Sequence, residues 1–161
     1  MTFHQNLTHF NQDGQAHMVD VGQKESTKRK ATAKGSIFVS EEAFICVQSG
    51  NNKKGDVLAI ARIAAIQASK QTAFLIPLCH PISLTHVSVE FKLHENEHRI
   101  SIEVSTENVG QTGVEMEALC AVNIGLLTIY DMLKAIDKNM RISDIQLIHK
   151  SGGRSGQWSK N

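Results

Sequence analysis

Two carboxylates, Glu115 and Glu117, head an apolar run in GVEMEAL, residues 113–119, and about one helix later IYDMLK brings Asp131 and Lys134. Carboxylates in a first helical turn suit the helix dipole. An Asp with a Lys three residues on has the spacing of a surface ion pair, worth roughly 0.2–0.5 kcal/mol. The setting asks for more than that. From Leu119 to Ile136 the run is apolar on much of its circumference, which predicts packing on more than one side. Ionisable groups against such packing need a partner or a chemical task. At about 1.5 Å per residue, Glu117 and Asp131 lie roughly 21 Å apart along one helix. A single small-molecule site takes in both ends only across a boundary between two copies, so the spacing predicts a composite site in a homo-oligomer.

Other segments add cations and one constrained histidine. In NNKKGDV, residues 51–57, Lys54 precedes a glycine and a helix start at Asp56, which suits an anion. The loop lacks the GxxxxGK[ST] spacing of a P-loop. In PLCHP, residues 77–81, His80 is held between Cys79 and Pro81, so its backbone is restricted. The adjacent Cys and His are not read as a thiol dyad, since sequence neighbours rarely face each other in one. The eight histidines show no HxH or HExxH spacing, and no metal site is expected. HKSGGRSG, residues 149–156, sets Lys150 and Arg154 on a glycine-rich segment, and Arg29 in STKRKA adds a cation near the amino end. Each motif alone has a plain structural explanation. Together the cations Arg29, Lys54, Lys134 and Lys150, the carboxylates Glu115, Glu117 and Asp131, and His80 suit a polyphosphate undergoing acid–base chemistry. In that reading cations hold phosphates, and a buried Asp131–Lys134 pair moves protons.

These residues need elements to position them. The chain has 161 residues with 41% hydrophobic content and a net charge of +1, which predicts a single domain spanning 1–161. The balanced charge gives no overall field for nucleic acid or a membrane surface. Three scattered cysteines, Cys46, Cys79 and Cys120, without a CxxC pair point to a reducing cytoplasm. The first residues carry no apolar signal region, and nowhere do 18 apolar residues run together, so no membrane span is expected. Residues 1–20 read as an irregular arm with a turn at NQDGQ, and 151–161 as a flexible glycine-rich tail. Between them the patterning predicts a strand over 27–39, a helix over 41–48 capped by Ser40, and a helix over 57–72 capped by Asp56. A proline-stiffened loop, then an alternating hairpin over 85–93 and 99–106, a long helix to about Ile136 and a strand over 141–150 complete the chain. The order is that of a ferredoxin-like βαββαβ α+β fold, an antiparallel sheet with helices on one face.

The segments HMVDV, KGDVLAIARIAAIQASK, LIPLCHP, TGVEMEAL, LTIYDMLKA and KSGGRSG, in this order and at these distances, resemble the MoaC family. The resemblance runs from about Leu7 to Gly156. It implies a cyclic pyranopterin monophosphate synthase of molybdenum cofactor biosynthesis, a lyase. The implied substrate is 3′,8-cyclo-7,8-dihydroguanosine triphosphate, supplied by a radical SAM GTP cyclase, and pyrophosphate is released. It further implies a homohexamer, a trimer of dimers with sites at dimer interfaces. Carried over by position, Asp131, Lys134 and Lys54 fall on catalytic residues. Leu78, Cys79, His80, Met116 and Glu117 fall on substrate-binding segments, with Glu115 beside them, and Arg29 and Lys150 on basic residues of the same site. Arg29 is selected only by counting, since Lys28 and Lys30 flank it. No redox cofactor is implied, because the net reaction is rearrangement and elimination.

A non-enzymatic nucleotide-binding module of the same fold would use the cations but not the Asp131–Lys134 pair. RNA binding through the sheet fits poorly, with 5% aromatics and no stacking residues on a strand.

Overall fold

Alternation of small and polar residues in TKRKATAKGSIF draws the chain into its central strand, β1 (Thr27–Phe38), in a computed structural model that describes residues 8–50, 55–154 and 156–160. Ser40 then caps α1 (Glu41–Gln48), its hydroxyl accepting from the Ala43 amide, and Asp56 caps α2 (Val57–Lys70) by accepting from the Leu58 and Ala59 amides. α2 stops at Lys70, two residues short of the expected end, and a single turn, α3 (Thr72–Leu75), follows before the prolines. The hairpin forms as β2 (His86–His94) and β3 (Arg99–Gly110), joined by a short 3-10 turn over Glu95–Glu97. α4 (Glu115–Leu133) carries the long apolar run, and β4 (Arg141–Ser151) and the two-residue β5 (Trp158–Ser159) end the chain.

The strands lie in the order β2-β3-β1-β4-β5, every neighbouring pair antiparallel. With helices packed on this sheet, the α+β architecture agrees with the expected ferredoxin-like fold. The alternation sorts residues between faces. Ala31, Ala33, Gly35 and Ile37 pair with Thr106, Val104, Ile102 and Ile100 on the side covered by α2 and α4. Thr32, Lys34 and Ser36 pair with Ser105, Glu103 and Ser101 on the open side. At Gly35 α4 packs closely on the sheet: a Cβ there would lie within 3 Å of Val122, Leu126 and Ile145 side-chain atoms. Leu126, Ile129 and Leu133 are fully buried along this contact, each contributing about 1.5–3 kcal/mol of hydrophobic stabilisation.

Two further details differ from the sequence expectation. α4 ends at Leu133 rather than near Ile136, because the chain tightens into a turn in which Ile136 and Asp137 both donate to the Leu133 carbonyl. Asp137, buried, fixes that turn by accepting from the Asn139 and Ser40 amides, which ties the end of α4 to the start of α1. The tail also returns to the sheet: Trp158 and Ser159 pair with Lys150 and His149. By length and composition α4 would suit a membrane span, yet half of that stretch is buried inside the fold.

Candidate active site

The register of β1 and β3 decides which of three consecutive basic residues faces α4. Arg29 pairs with Asn108, in phase with Ala31 and Gly35 on the helix-covered side. Lys28 and Lys30 alternate to the other face of the strand and form ion pairs with Glu107 at 3.0 and 3.5 Å, Lys30 also bordering the cleft. Arg29 lies over the turn after β3, donating from Nε to the Gly110 carbonyl (3.2 Å) and from a terminal nitrogen to the Gln111 carbonyl (3.4 Å). The guanidinium is thereby oriented while most of its five N–H donors remain for other partners.

Lys150 reaches the same place from the other side of β1, to which it is aligned opposite Ala31. Two register shifts between β1 and β4 bring it there. At the first, Asp144 adopts φ +60°, so Ile145 and Leu147 pack against the core in place of Asp144 and Gln146. The second, next to His149, returns Lys150 to the covered side, where its Nζ donates to Glu115 Oε1 at 3.0 Å. The glycines beyond it close over Arg29. Gly152 and Gly153 have φ of +98° and +72°, and a Cβ at Gly153 would sit 1.5 Å from an Arg29 terminal nitrogen. Only glycine allows both this backbone and this approach. The result is a cleft of about 570 Å³ at the head of α4. Lys24, Arg29, Lys30, Lys150 and Arg154 line it together with Glu25 and Glu115, a size and charge suited to a phosphorylated small molecule.

Glu117, one residue beyond Met116, turns inward and is only 3% exposed. Burial pushes its carboxyl up to about 7, with the neighbouring Glu115 charge adding to the effect. The 78–80 loop lies against this first turn of α4. Burial, and then the Glu117 charge, raise the Cys79 thiol above its ordinary value, and burial likewise raises Cys120. Leu78, Cys79 and His80 are half-buried. The His80 ring hydrogen-bonds the Val19 carbonyl at 2.7 Å, and since a carbonyl only accepts, Nε2 carries the proton and Nδ1 is left toward other partners. The amino-terminal arm is thereby drawn onto the site, and Gln111 ties it down again by donating to the Gly22 carbonyl. Met116 remains 37% exposed on the outer side.

The structure therefore brings Arg29, Lys150 and Glu115 together in the cleft, sets Cys79 within reach of the Glu117 charge, and holds His80 against the amino-terminal arm. It does not bring Asp131 and Lys134 there. That pair lies at the far end of α4, its oxygen and nitrogen 2.5 Å apart, with side chains 64% and 56% exposed in the single chain. The expectation of a buried Asp–Lys pair is corrected accordingly. Its position at the last turn, beyond the sheet contact, leaves it to solvent, and the hydrogen bond that Lys134 donates to Asp131 holds the ammonium above its ordinary value. Lys54 lies outside the described residues. Sequence reasoning missed Lys24 and Thr27 as cleft residues and Asp137 as a structural carboxylate. The first two precede or open β1 with no motif, and only the register reveals them. Among the described residues no group of three or more His, Cys, Asp or Glu side chains could hold a metal ion.

Fold and cleft together define a class: an α+β domain with a cation-lined cleft where a glycine-rich loop meets the head of a core helix. Compared with known families, residues 18–153 match the MoaC family, and the chain belongs to it. Membership places the chain in molybdenum cofactor biosynthesis. Among solved structures, a mutant of the ferredoxin protease FusC in complex with Arabidopsis ferredoxin is 15% identical, with a TM-score of 0.32. That match covers 67% of this chain and 10% of the other, and a likeness this faint carries no argument.

Proposed function

We propose that this protein is a cyclic pyranopterin monophosphate synthase. It converts 3′,8-cyclo-7,8-dihydroguanosine triphosphate, the product of a radical SAM GTP cyclase, to cyclic pyranopterin monophosphate, releasing pyrophosphate as a phosphorus–oxygen lyase. The observation that carries this reading is the MoaC family match over residues 18–153, within which Arg29, Lys150 and Glu115 converge under the glycine-rich loop.

In this reading Arg29 and Lys150, with Lys54, neutralise the triphosphate and stabilise the leaving pyrophosphate. Attack of a ribose-derived hydroxyl on the α-phosphorus closes the cyclic phosphate as the bond to the β-phosphate oxygen breaks. Leu78, Cys79, His80, Met116 and Glu117 hold the purine-derived part. Asp131 and Lys134 move protons to and from nitrogen during ring opening and closure. In water Lys134 keeps its proton, because Asp131 stabilises the charged form. Burial under a second copy would lower that preference and free the amine to act as a base. The outer face of the helices suits such a copy: Ile63, Phe74 and Leu127 are exposed there. We therefore read the active form as a cytoplasmic homohexamer of single-domain subunits, a trimer of dimers, each site using the head of one α4 and the tail of another.

Incubating the purified protein with the cyclised GTP intermediate tests the reaction. Release of pyrophosphate and a product oxidisable to a fluorescent pterin is expected. Absence of both from intact oligomer would overturn the assignment. Retained binding without turnover would favour a nucleotide-binding module.

A further inference from the structure

Thr27 opens β1 opposite Gly110, and its side-chain oxygen is buried without a hydrogen-bond partner, although the residue lines the cationic cleft. A hydroxyl donates one hydrogen bond and accepts up to two, and an unmet buried one weakens the fold unless something else satisfies it. The groups around it are mostly donors. Arg29 donates to the carbonyls of Gly110, opposite Thr27, and Gln111, and Lys150 holds Glu115. The carboxylates of the cleft are Glu25 and Glu115, and neither accepts from Thr27. Two more cations border the same cleft, Lys24 before β1 and Arg154 in the loop after β4, and neither forms an ion pair among the described residues.

We propose that the Thr27 hydroxyl, flanked by Lys24 and Arg154, donates to an oxygen of the substrate's phosphate chain. These residues form a grip additional to Arg29 and Lys150. A phosphate chain supplies acceptors only, so it satisfies the Thr27 donor and the two cations at once, which a neutral sugar or base would not. The inference rests on the reading of the cleft as a polyphosphate site.

The test uses the full-length protein and inorganic tripolyphosphate as the probe, titrated by calorimetry at fixed ionic strength, with turnover measured separately. Thr27→Val keeps the shape and removes the hydroxyl. It is expected to weaken tripolyphosphate binding about tenfold, the loss of one hydrogen bond to a charged group, and to raise KM with kcat little changed. Thr27→Ser should restore both. Lys24→Gln and Arg154→Gln, at exposed positions, should each weaken the probe several-fold, and they carry the test should Thr27→Val not fold. Binding by Thr27→Val equal to that of the parent overturns the proposal. So does a parent that fails to bind tripolyphosphate, or undiminished binding by both glutamine variants. A Thr27→Ser variant that folds but does not recover binding also overturns it, since that marks a purely structural threonine. Absent turnover with Thr27-dependent tripolyphosphate binding would sink the reaction and leave this site standing. Turnover with Thr27-independent binding would do the reverse.

Discussion

The two ends of α4 are built on different terms. At its head, Glu115 is held by Lys150, Glu117 is buried, and Arg29, the glycine-rich loop and the 78–80 loop all come from the same chain. At its last turn, Asp131 and Lys134 hold each other in solvent. One end is a finished environment, and the other presents an ion pair without walls. A general acid or base needs a shaped, partly dry site to work efficiently. The difference supports the proposed reading, in which the second end takes the rest of its site from a second copy.

The strongest way to break this comparison is to disable each end and mix the results. Lys134→Ala and Arg29→Ala should each lower turnover by about a thousandfold or more, the range for removing a group used in the transition state. Lys134→Ala should leave tripolyphosphate binding intact, while Arg29→Ala should weaken it. Unfolded together in equal amounts and refolded, the two variants should recover roughly a quarter of the parental rate. Half the dimers then pair unlike chains, and each of these holds one intact site of two. No recovery, with both variants assembled and exchanged, would show that both ends work within one chain or at separate sites.

A smaller effect probes what fixes the far end in space. Asp137 accepts two backbone amides and joins the end of α4 to α1. Asp137→Ala should cost about 3 kcal/mol, since bonds to a charged acceptor are the strong ones, and should lower Tm by roughly 10 °C in a chain of this length. Calorimetric melting checks it. A loss of less than about 1 kcal/mol would mean that the turn after Leu133 holds itself.

Much of this comparison could be read from the sequence, and the unread parts share a physical cause. Caps and periodicity were local and therefore legible: Ser40 and Asp56 stand where their side chains accept helix amides, and the alternating hairpin pairs as its pattern requires. The choice of Arg29 over Lys28 and Lys30 was not legible, because it depends on pairing with Asn108, 79 residues away in the chain. The bulges of β4 were equally hidden. Plain alternation along RISDIQLIHK would bury Asp144 and Gln146, and the positive φ at Asp144 avoids this. Asp137 reads as one more surface charge until the start of α1 is seen to approach it. Composition did indicate a helix with ionisable groups at both ends. It could not indicate that one end would be finished and the other left open.

Protonation of Glu117 sharpens the account of the buried end. Its folded value of about 7 lies above the ordinary 4.5, so the folded state binds this proton more tightly than the unfolded chain does. The contribution is full below about 4.5 and is lost as pH rises through about 7. Melting temperature should therefore fall between these limits. Glu117→Gln, neutral throughout, should remove that slope and be the more stable of the two at pH about 8. An unchanged slope would place the titrating group elsewhere.

The smallest expected effect is also a control on the register. Lys28 lies on the open side with Glu107, one residue from Arg29 in sequence and on the opposite face. An exposed ion pair of this kind contributes about 0–1 kcal/mol, so Lys28→Ala should leave both melting and turnover close to the parent. Tripolyphosphate binding should fall less than twofold, because the side chain is outside the cleft and contributes only a screened charge. Arg29→Ala next to it should weaken the same binding by about tenfold or more. Equal losses at the two positions would mean that the pocket responds to total positive charge, and the facing of Arg29 toward the head of α4 would then have no bearing on recognition.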